Sequence, residues 1–315
     1  MTLRQAQDRA HPAIGGIRLC LGGNVFGWTA DEKTSFAVLD KFYEAGGRMI
    51  DTAQCYSFWV EGHKGGESET VIGKWLDRSG VRKDVLIATK VGVMAEPGDL
   101  APARVAQELD KSLDRMRTDY VDLYYAHRDE ETTPLDEIAS GFDALIQSGK
   151  VRELGASNFS AERLTAAINA AESIGATPYS VLQNEYNLVN RDQYEGPLQD
   201  LCVRRGIASL PYFGLASGFL TGKYRSRDDF SKSARGDGMD RFFDKGQPVL
   251  AVMDSIAEET GASHAAIALA WINAQPGIAA PIASARTPEQ LDALLEGAVL
   301  ELSPDQLARL TNVFD

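Results

Sequence analysis

Short apolar runs alternate with amphipathic stretches along the whole chain. Runs of about four to eight apolar residues closed by glycine or a polar side chain fit buried strands, and apolar positions three and four apart fit helices lying on them. Leu19 to Gly23, Arg48 to Ala53, Val85 to Lys90, Tyr120 to Ala126, Val151 to Ala156, Val181 to Asn184, Ile207 to Leu210 and Ile278 to Ala283 read as eight strands. Between them, Asp31 to Ala45 carries Phe36, Val38, Leu39 and Phe42 at helical spacing and stops at Gly46-Gly47. Further helices are expected over Glu67 to Leu76, Pro102 to Met116, Pro134 to Gly149, Ala161 to Ile174 and Gln193 to Arg205, with Ser160 as a cap. Val249 to Thr260, Ala265 to Ala274, Pro288 to Leu295 and Pro304 to Val313 complete the set. The segment before Arg18 reads as a loosely held lead-in, and Gly214 to Gly246 as a long irregular stretch of the kind that often forms a lid or binding loop.

Eight strand-then-helix units with no linker between halves predict one α/β domain, a (β/α)8 barrel, with its site at the carboxyl ends of the strands. Successive strand ends lie about 30 to 40 residues apart, as such units require. A doubly wound sheet would place a glycine fingerprint after the first strand, and Leu21-Gly22-Gly23-Asn24-Val25-Phe26-Gly27 does not supply it. Three apolar runs end in ionisable groups: Asp51, Lys90 and His127. Burying a charge unpaired is expensive, so such ends point to an assembled site rather than to packing. Tyr56 follows on the loop after Asp51.

Composition narrows the partners. With 315 residues, 44% of them hydrophobic, the chain can fill one large core. A net charge of −13 argues against nucleic acid or an anionic membrane surface. One anionic ligand is still compatible, because Lys223, Arg225, Arg227, Lys232 and Arg235 gather in the irregular stretch. Four histidines and three scattered cysteines (Cys20, Cys55, Cys202) give neither zinc spacing nor a disulfide framework. Cys55 reads as a small filler beside Tyr56. No apolar run approaches the roughly 20 residues of a membrane helix. A soluble cytoplasmic protein without metal, a monomer or small homo-oligomer, is expected.

The ordered set Asp51-Thr52-Ala53…Tyr56, Lys90, His127, Ser157-Asn158, Gln183 and Tyr212, with Gly155-Ala156-Ser157-Asn158-Phe159 and Leu220-Thr221-Gly222-Lys223-Tyr224, resembles the aldo-keto reductase superfamily from about Leu19 to Leu295. The resemblance implies reversible reduction of a small-molecule aldehyde or ketone with NADPH, NADH being the other possibility. Tyr56 would be the general acid, Lys90 its tuner, Asp51 the anchor and His127 the donor that orients the substrate oxygen. The chemistry is coherent by itself, since carbonyl reduction needs an acid beside the developing alkoxide. A nearby ammonium lowers a phenol's pKa.

Carried over position by position, Ser157, Asn158 and Gln183 match the carboxamide holders and Tyr212 the residue stacking on the nicotinamide. Gly23, Asn24, Phe213, Leu215, Ser217, Leu220, Lys223 and Arg235 join them along the cofactor path, and Ser284, Arg286 and Gln290 at its adenosine end. Arg286 suits a 2′-phosphate, because a guanidinium pairs phosphate oxygens bidentately. Val25, Phe26, Trp28, Trp59 and Arg128 are the expected substrate walls. The pattern departs from the superfamily at Ser57 where glycine is common, at Phe213-Gly214 where Ser-Pro is frequent, at Leu294 where an adenine-contacting Asn is usual, and at Ser284 in place of a lysine. Two alternatives stand beside a reductase: a cofactor-binding regulatory subunit of the channel-β type, and an NAD-linked sugar or polyol dehydrogenase.

Overall fold

The computed structural model describes residues 14–94, 98–232 and 238–314. Eight parallel strands form one sheet: β1 Cys20–Gly22, β2 Met49–Asp51, β3 Leu86–Val91, β4 Val121–Ala126, β5 Val151–Ser157, β6 Val181–Gln183, β7 Ala208–Ser209 and β8 Ile282–Ala283. Each pairs with its neighbour in sequence, and β8 returns to pair with β1 through Cys20↔Ile282 and Leu21↔Ala283. The ring closes where Ser209 bridges Ile278, with Ser209 N donating to Gly277 O at 2.9 Å and Ala279 N to Ser209 O at 2.9 Å. The fold is a (β/α)8 barrel. Among the described residues, no helix is long and apolar enough to cross a membrane.

Side chains alternate across each strand, so period 2 sorts them into an inner and an outer core. Cys20, Met49, Ala88, Leu123, Tyr125 and Val181 form a cluster of their own, together with Leu210 and Ile282. Their chain neighbours Leu21, Ile50, Ile87, Tyr124 and Leu182 belong to the larger cluster beneath the helices. One further step of two along the inner face reaches Asp51 from Met49, Lys90 from Ala88, His127 from Tyr125 and Gln183 from Val181. These candidate side chains thus continue the inner face beyond its last apolar layer. Gly155, opposite Tyr125, is required there: a Cβ would lie 2.3 Å from the Tyr125 ring.

The helices are α1 Glu32–Glu44, α2 Glu67–Ser79, α3 Pro102–Met116, α4 Leu135–Gln147, α5 Ala161–Ser173, α6 Pro197–Arg205, α7 Asp240–Thr260, α8 His264–Asn273, α9 Pro288–Val299 and α10 Pro304–Thr311. Asp31, Ser160, Ser263, Thr287 and Ser303 cap five of them through side-chain oxygens.

Two expectations change. Ile14 and Ile17 are fully buried, Ile14 in the inner cluster, so at least this end of the lead-in is tied down. The stretch from Gly214 is largely built rather than irregular. It contains 3-10 turns at Ala216–Thr221 and Arg227–Lys232, and α7 starts at Asp240, running through Pro248. A proline inside a helix normally breaks it. Here Phe219, Tyr224, Phe230, Phe242 and Phe243 pack into one aromatic cluster with ring centroids 5.6 to 6.4 Å apart, holding the segment to the barrel.

Candidate active site

Lys90 is the centre of the mouth. Its Nζ donates to Asp51 Oδ2 at 2.6 Å, to the Thr52 carbonyl at 2.8 Å and to the Tyr56 hydroxyl at 3.1 Å. All three ammonium protons are therefore used, on a side chain with no exposed surface. The other Asp51 oxygen accepts from Gln183 Nε2 at 3.0 Å. Burial acts to pull the Lys90 ammonium down, yet the Asp51 carboxylate and the Tyr56 oxygen more than offset it and hold its pKa above the ordinary lysine value.

Tyr56 reaches Lys90 because the chain leaving β2 stays along β3, with Thr52 N donating to Ala88 O at 2.9 Å, before turning back through Tyr56 N to Ala53 O at 3.1 Å. The loop behind it is closed by Gly66 N donating to Tyr56 O at 2.9 Å, and Gly66 adopts a left-handed φ of 86°. Glu67 accepts from Lys64 N at 2.8 Å and Ser57 N at 3.3 Å, and Ser57 Oγ contacts His63 Nδ1 at 2.8 Å. Burial pushes the Tyr56 phenol above its ordinary value, and Lys90 only partly pulls it back. The net direction is upward, opposite to the expectation from the ammonium alone. Resting Tyr56 is a firmly protonated acid.

His127 directly follows β4, with its ring centroid 6.1 Å from that of Tyr56, and its Nδ1 is 3.6 Å from Cys55 Sγ. Burial and the positive charges of Lys90 and Arg128 hold its pKa well below the ordinary histidine value. It is neutral. The structure brings Asp51, Tyr56, Lys90 and His127 together at one mouth.

The remaining candidates divide. Asn158, in a left-handed conformation (φ 60°), receives the Tyr212 hydroxyl at Oδ1 (2.7 Å) and donates from Nδ2 to His127 O (3.0 Å) and Ser157 Oγ (3.1 Å). Ser157, Asn158 and Tyr212 thus form one network beside His127, while Gln183 is turned to Asp51. Phe213 is exposed and packs edge-on to Tyr212 at 5.0 Å. Leu215 and Ser217 are half-buried, and Leu220 is in the core. Gly23 is pinned between strands, its N donating to Asp51 O at 2.7 Å and its O accepting from Ser68 Oγ at 2.7 Å. Asn24 Oδ1 accepts from Ser284 Oγ at 2.6 Å. At the start of α9, Arg286 N donates to Gln290 Oε1 at 3.0 Å, and the Arg286 guanidinium has no carboxylate partner among the described residues. Arg235 lies outside the described residues.

Two members of the basic run are already paired. Arg225 pairs bidentately with Asp254 at 2.7 and 2.8 Å, and Arg227 pairs with Asp240 and Asp244, so both anchor the loop. Lys223 is exposed, its Nζ 4.9 Å above the Tyr224 ring. Of the substrate walls, Trp28 and Trp59 stand edge-to-face at 5.6 Å, and Trp59 lies 5.9 Å from Tyr56 and 5.8 Å from Phe58. Arg128 is exposed next to His127. Val25 and Phe26 are instead sealed in the core.

Three contributors escaped sequence reasoning. Asn184 Oδ1 fixes Asn158 N at 2.9 Å, the Thr52 carbonyl takes one Lys90 proton, and Cys55 touches His127. Only the adjacency of Asn184 to Gln183 could have drawn attention to the first. The other two depend on contacts between residues far apart in sequence.

A family model described as Aldo/keto reductase family matches residues 18–315. The uncharacterized oxidoreductase YrpG of Bacillus subtilis is 32% identical over 94% of this chain and 92% of its own length. Aldo-keto reductase YhdN of the same organism is 33% identical over 90% of this chain and 84% of its own. A Phanerodontia chrysosporium protein named aryl-alcohol dehydrogenase, NADP(+), is 29% identical over 90% and 77%. With the match spanning nearly the whole chain, this protein belongs to the aldo/keto reductase family of oxidoreductases.

Proposed function

We propose that the protein reduces an aldehyde or ketone to the alcohol with NADPH, with Tyr56 as the general acid. One observation carries the reading: a buried ammonium, itself held by a carboxylate, donates to the hydroxyl of a protonated tyrosine at 3.1 Å, beside a neutral imidazole. A reduced nicotinamide supplies the hydride when bound. Tyr56 gives its hydroxyl proton to the carbonyl oxygen as negative charge develops there. Lys90 then faces a phenolate 3.1 Å away, and that interaction grows as the proton leaves, which lowers the barrier rather than merely binding substrate. Asp51 keeps Lys90 in place, and His127 donates to the same carbonyl oxygen and fixes its direction.

The residues present fit a dinucleotide. Tyr212 lies just after β7 with its hydroxyl tied to Asn158. Lys223 and Arg286 are cations without carboxylate partners among the described residues of an acidic chain, a pairing suited to pyrophosphate and 2′-phosphate oxygens. The amide-rich start of α9, capped by Thr287, adds a favourable dipole at the same end. Trp28, Phe58 and Trp59 favour a substrate with a flat apolar body, in keeping with the aryl-alcohol name of one relative.

Purified protein mixed with NADPH and a panel of aromatic and aliphatic aldehydes is expected to consume the cofactor's absorbance, and Tyr56→Phe to slow the loss by about a hundredfold or more. Absence of turnover across the whole panel overturns the reading.

A further inference from the structure

A neutral histidine donates only from the ring nitrogen that carries its single proton, and one contact is placed to decide which. Cys55 Sγ lies 3.6 Å from His127 Nδ1 across 72 residues of chain. Both partners are held in place. Cys55 is 2% exposed, while His127 N donates to Val91 O at 2.7 Å and His127 O accepts from Asn158 Nδ2 at 3.0 Å. Among the described residues no other side chain bonds either ring nitrogen of His127.

We propose that Cys55 is a positioning residue: its thiol donates to Nδ1, selects the Nε2–H tautomer of His127, and leaves Nε2–H free to meet the substrate oxygen. A thiol is a weak donor and a poorer acceptor, whereas a bare imidazole nitrogen accepts strongly, so S–H to N is the favoured sense. Burial pushes the Cys55 thiol up to about 11, which keeps its proton on sulfur at neutral pH. The groups facing the imidazole are Lys90, Arg128 and Tyr56, and the two cations oppose a second proton on the ring. Alanine or valine would serve as filler in this space but would leave Nδ1 without a partner, so the resting ring would populate both tautomers. The consequence for turnover rests on the carbonyl-reductase reading; the tautomer is a property of the resting protein.

The test is nitrogen-15 NMR of protein labelled at the histidine rings, with His127→Asn used only to assign the His127 signals, on wild type, Cys55→Ala and Cys55→Ser near pH 8. The wild type is expected to show Nε2–H alone, and Cys55→Ala a mixture. Cys55→Ala should also lose about tenfold in kcat/KM for the carbonyl, the scale typical of losing a partner that orients a functional histidine, with no change in cofactor KM. Serine keeps a donor, though its shorter bond leaves it slightly farther away, and should retain the tautomer and most of the rate. An Nδ1–H wild type overturns the proposal, and this spectrum decides even if Cys55→Ala fails to fold. An unchanged tautomer or an unchanged rate in a folded Cys55→Ala overturns it as well. A wild type with Nε2–H that turns over no carbonyl counts against the reductase reading and leaves the tautomer assignment intact.

Discussion

Lys90 and Asp51 leave strands 39 residues apart in sequence, yet their ammonium and carboxylate meet at 2.6 Å with both side chains almost sealed from water. A buried pair contributes little over an apolar replacement, but removing one member strands the other's charge. Asp51→Asn keeps the shape and is therefore expected to destabilise the fold by about 3–5 kcal/mol. Adding Lys90→Met to Asp51→Asn should recover much of that loss, because the stranded charge is gone. Urea denaturation of the two single variants and the double checks this. Simply additive losses would refute the coupling.

Lys90 and Tyr56, 3.1 Å apart, predict how activity fails on the proposed reading. Tyr56→Phe removes the proposed proton donor and should lower kcat by about 10²- to 10⁴-fold. Lys90→Met leaves a phenol whose pKa burial has already raised, with nothing to stabilise the phenolate, so it should fall within the same range. The double variant should be little worse than either single, since the two groups act as one device. Steady-state rates with one good aldehyde decide it, and losses that multiply would separate the roles.

What could be read from sequence follows from geometry. Period 2 and the ends of apolar runs locate Asp51, Lys90 and His127, because a barrel strand presents alternate residues inward and the last inward residue stands at the mouth. Helix starts at Pro102 and Pro304 and the cap at Ser160 were local, and they hold. The start of α7 was hidden because Pro248 signals a break while the aromatic cluster stabilising the segment joins residues far apart. The loop's apparent basicity misled for a related reason, since Arg225 is neutralised by Asp254 from another element. Val25 and Phe26 are expected as substrate walls, and only packing shows that they are buried in the core.

On the proposed reading, Arg286 meets the 2′-phosphate of NADPH. Removing a charge-assisted contact to a 2′-phosphate costs about 1.5–3 kcal/mol. Arg286→Ala should therefore weaken NADPH binding by roughly 10- to 100-fold and leave NADH unchanged. Fluorescence titration with each cofactor measures both. Equal weakening of the two would move Arg286 away from the 2′ position.

Arg191 clamps the last helix. Its guanidinium donates to the Thr311 and Leu310 carbonyls, each at 2.6 Å, and stacks 4.9 Å above Trp271. These carbonyls end α10 and have no helical partners of their own, and Arg191 itself is only 9% exposed. Arg191→Ala should cost about 2 kcal/mol and speed amide exchange in α10 before elsewhere. Among the described residues, Asp51, Tyr56, Lys90 and His127 make no hydrogen bond to α10, so kcat at 25 °C should be retained. A variant with wild-type Tm would show that the clamp is redundant.

His127 sets the behaviour in acid. Its folded pKa lies well below the ordinary histidine value because burial, then Lys90 and Arg128, oppose a charged ring. Unfolded, the same side chain titrates near 6.5. As pH falls through about 6.5, the unfolded chain binds a proton that the folded chain refuses, so stability contributed above that pH is lost progressively until the folded pKa is reached. His127→Asn has no such proton to bind. The stability gap between wild type and His127→Asn should therefore shift against the wild type between pH 7.5 and 5, measured by urea midpoints at both. Protonation would also spoil the tautomer and add a third positive charge beside Lys90 and Arg128, so any protonated fraction would be poorly active. A stability gap that does not change with pH would mean that His127 titrates normally, and the neutral donor at the mouth would lose its basis.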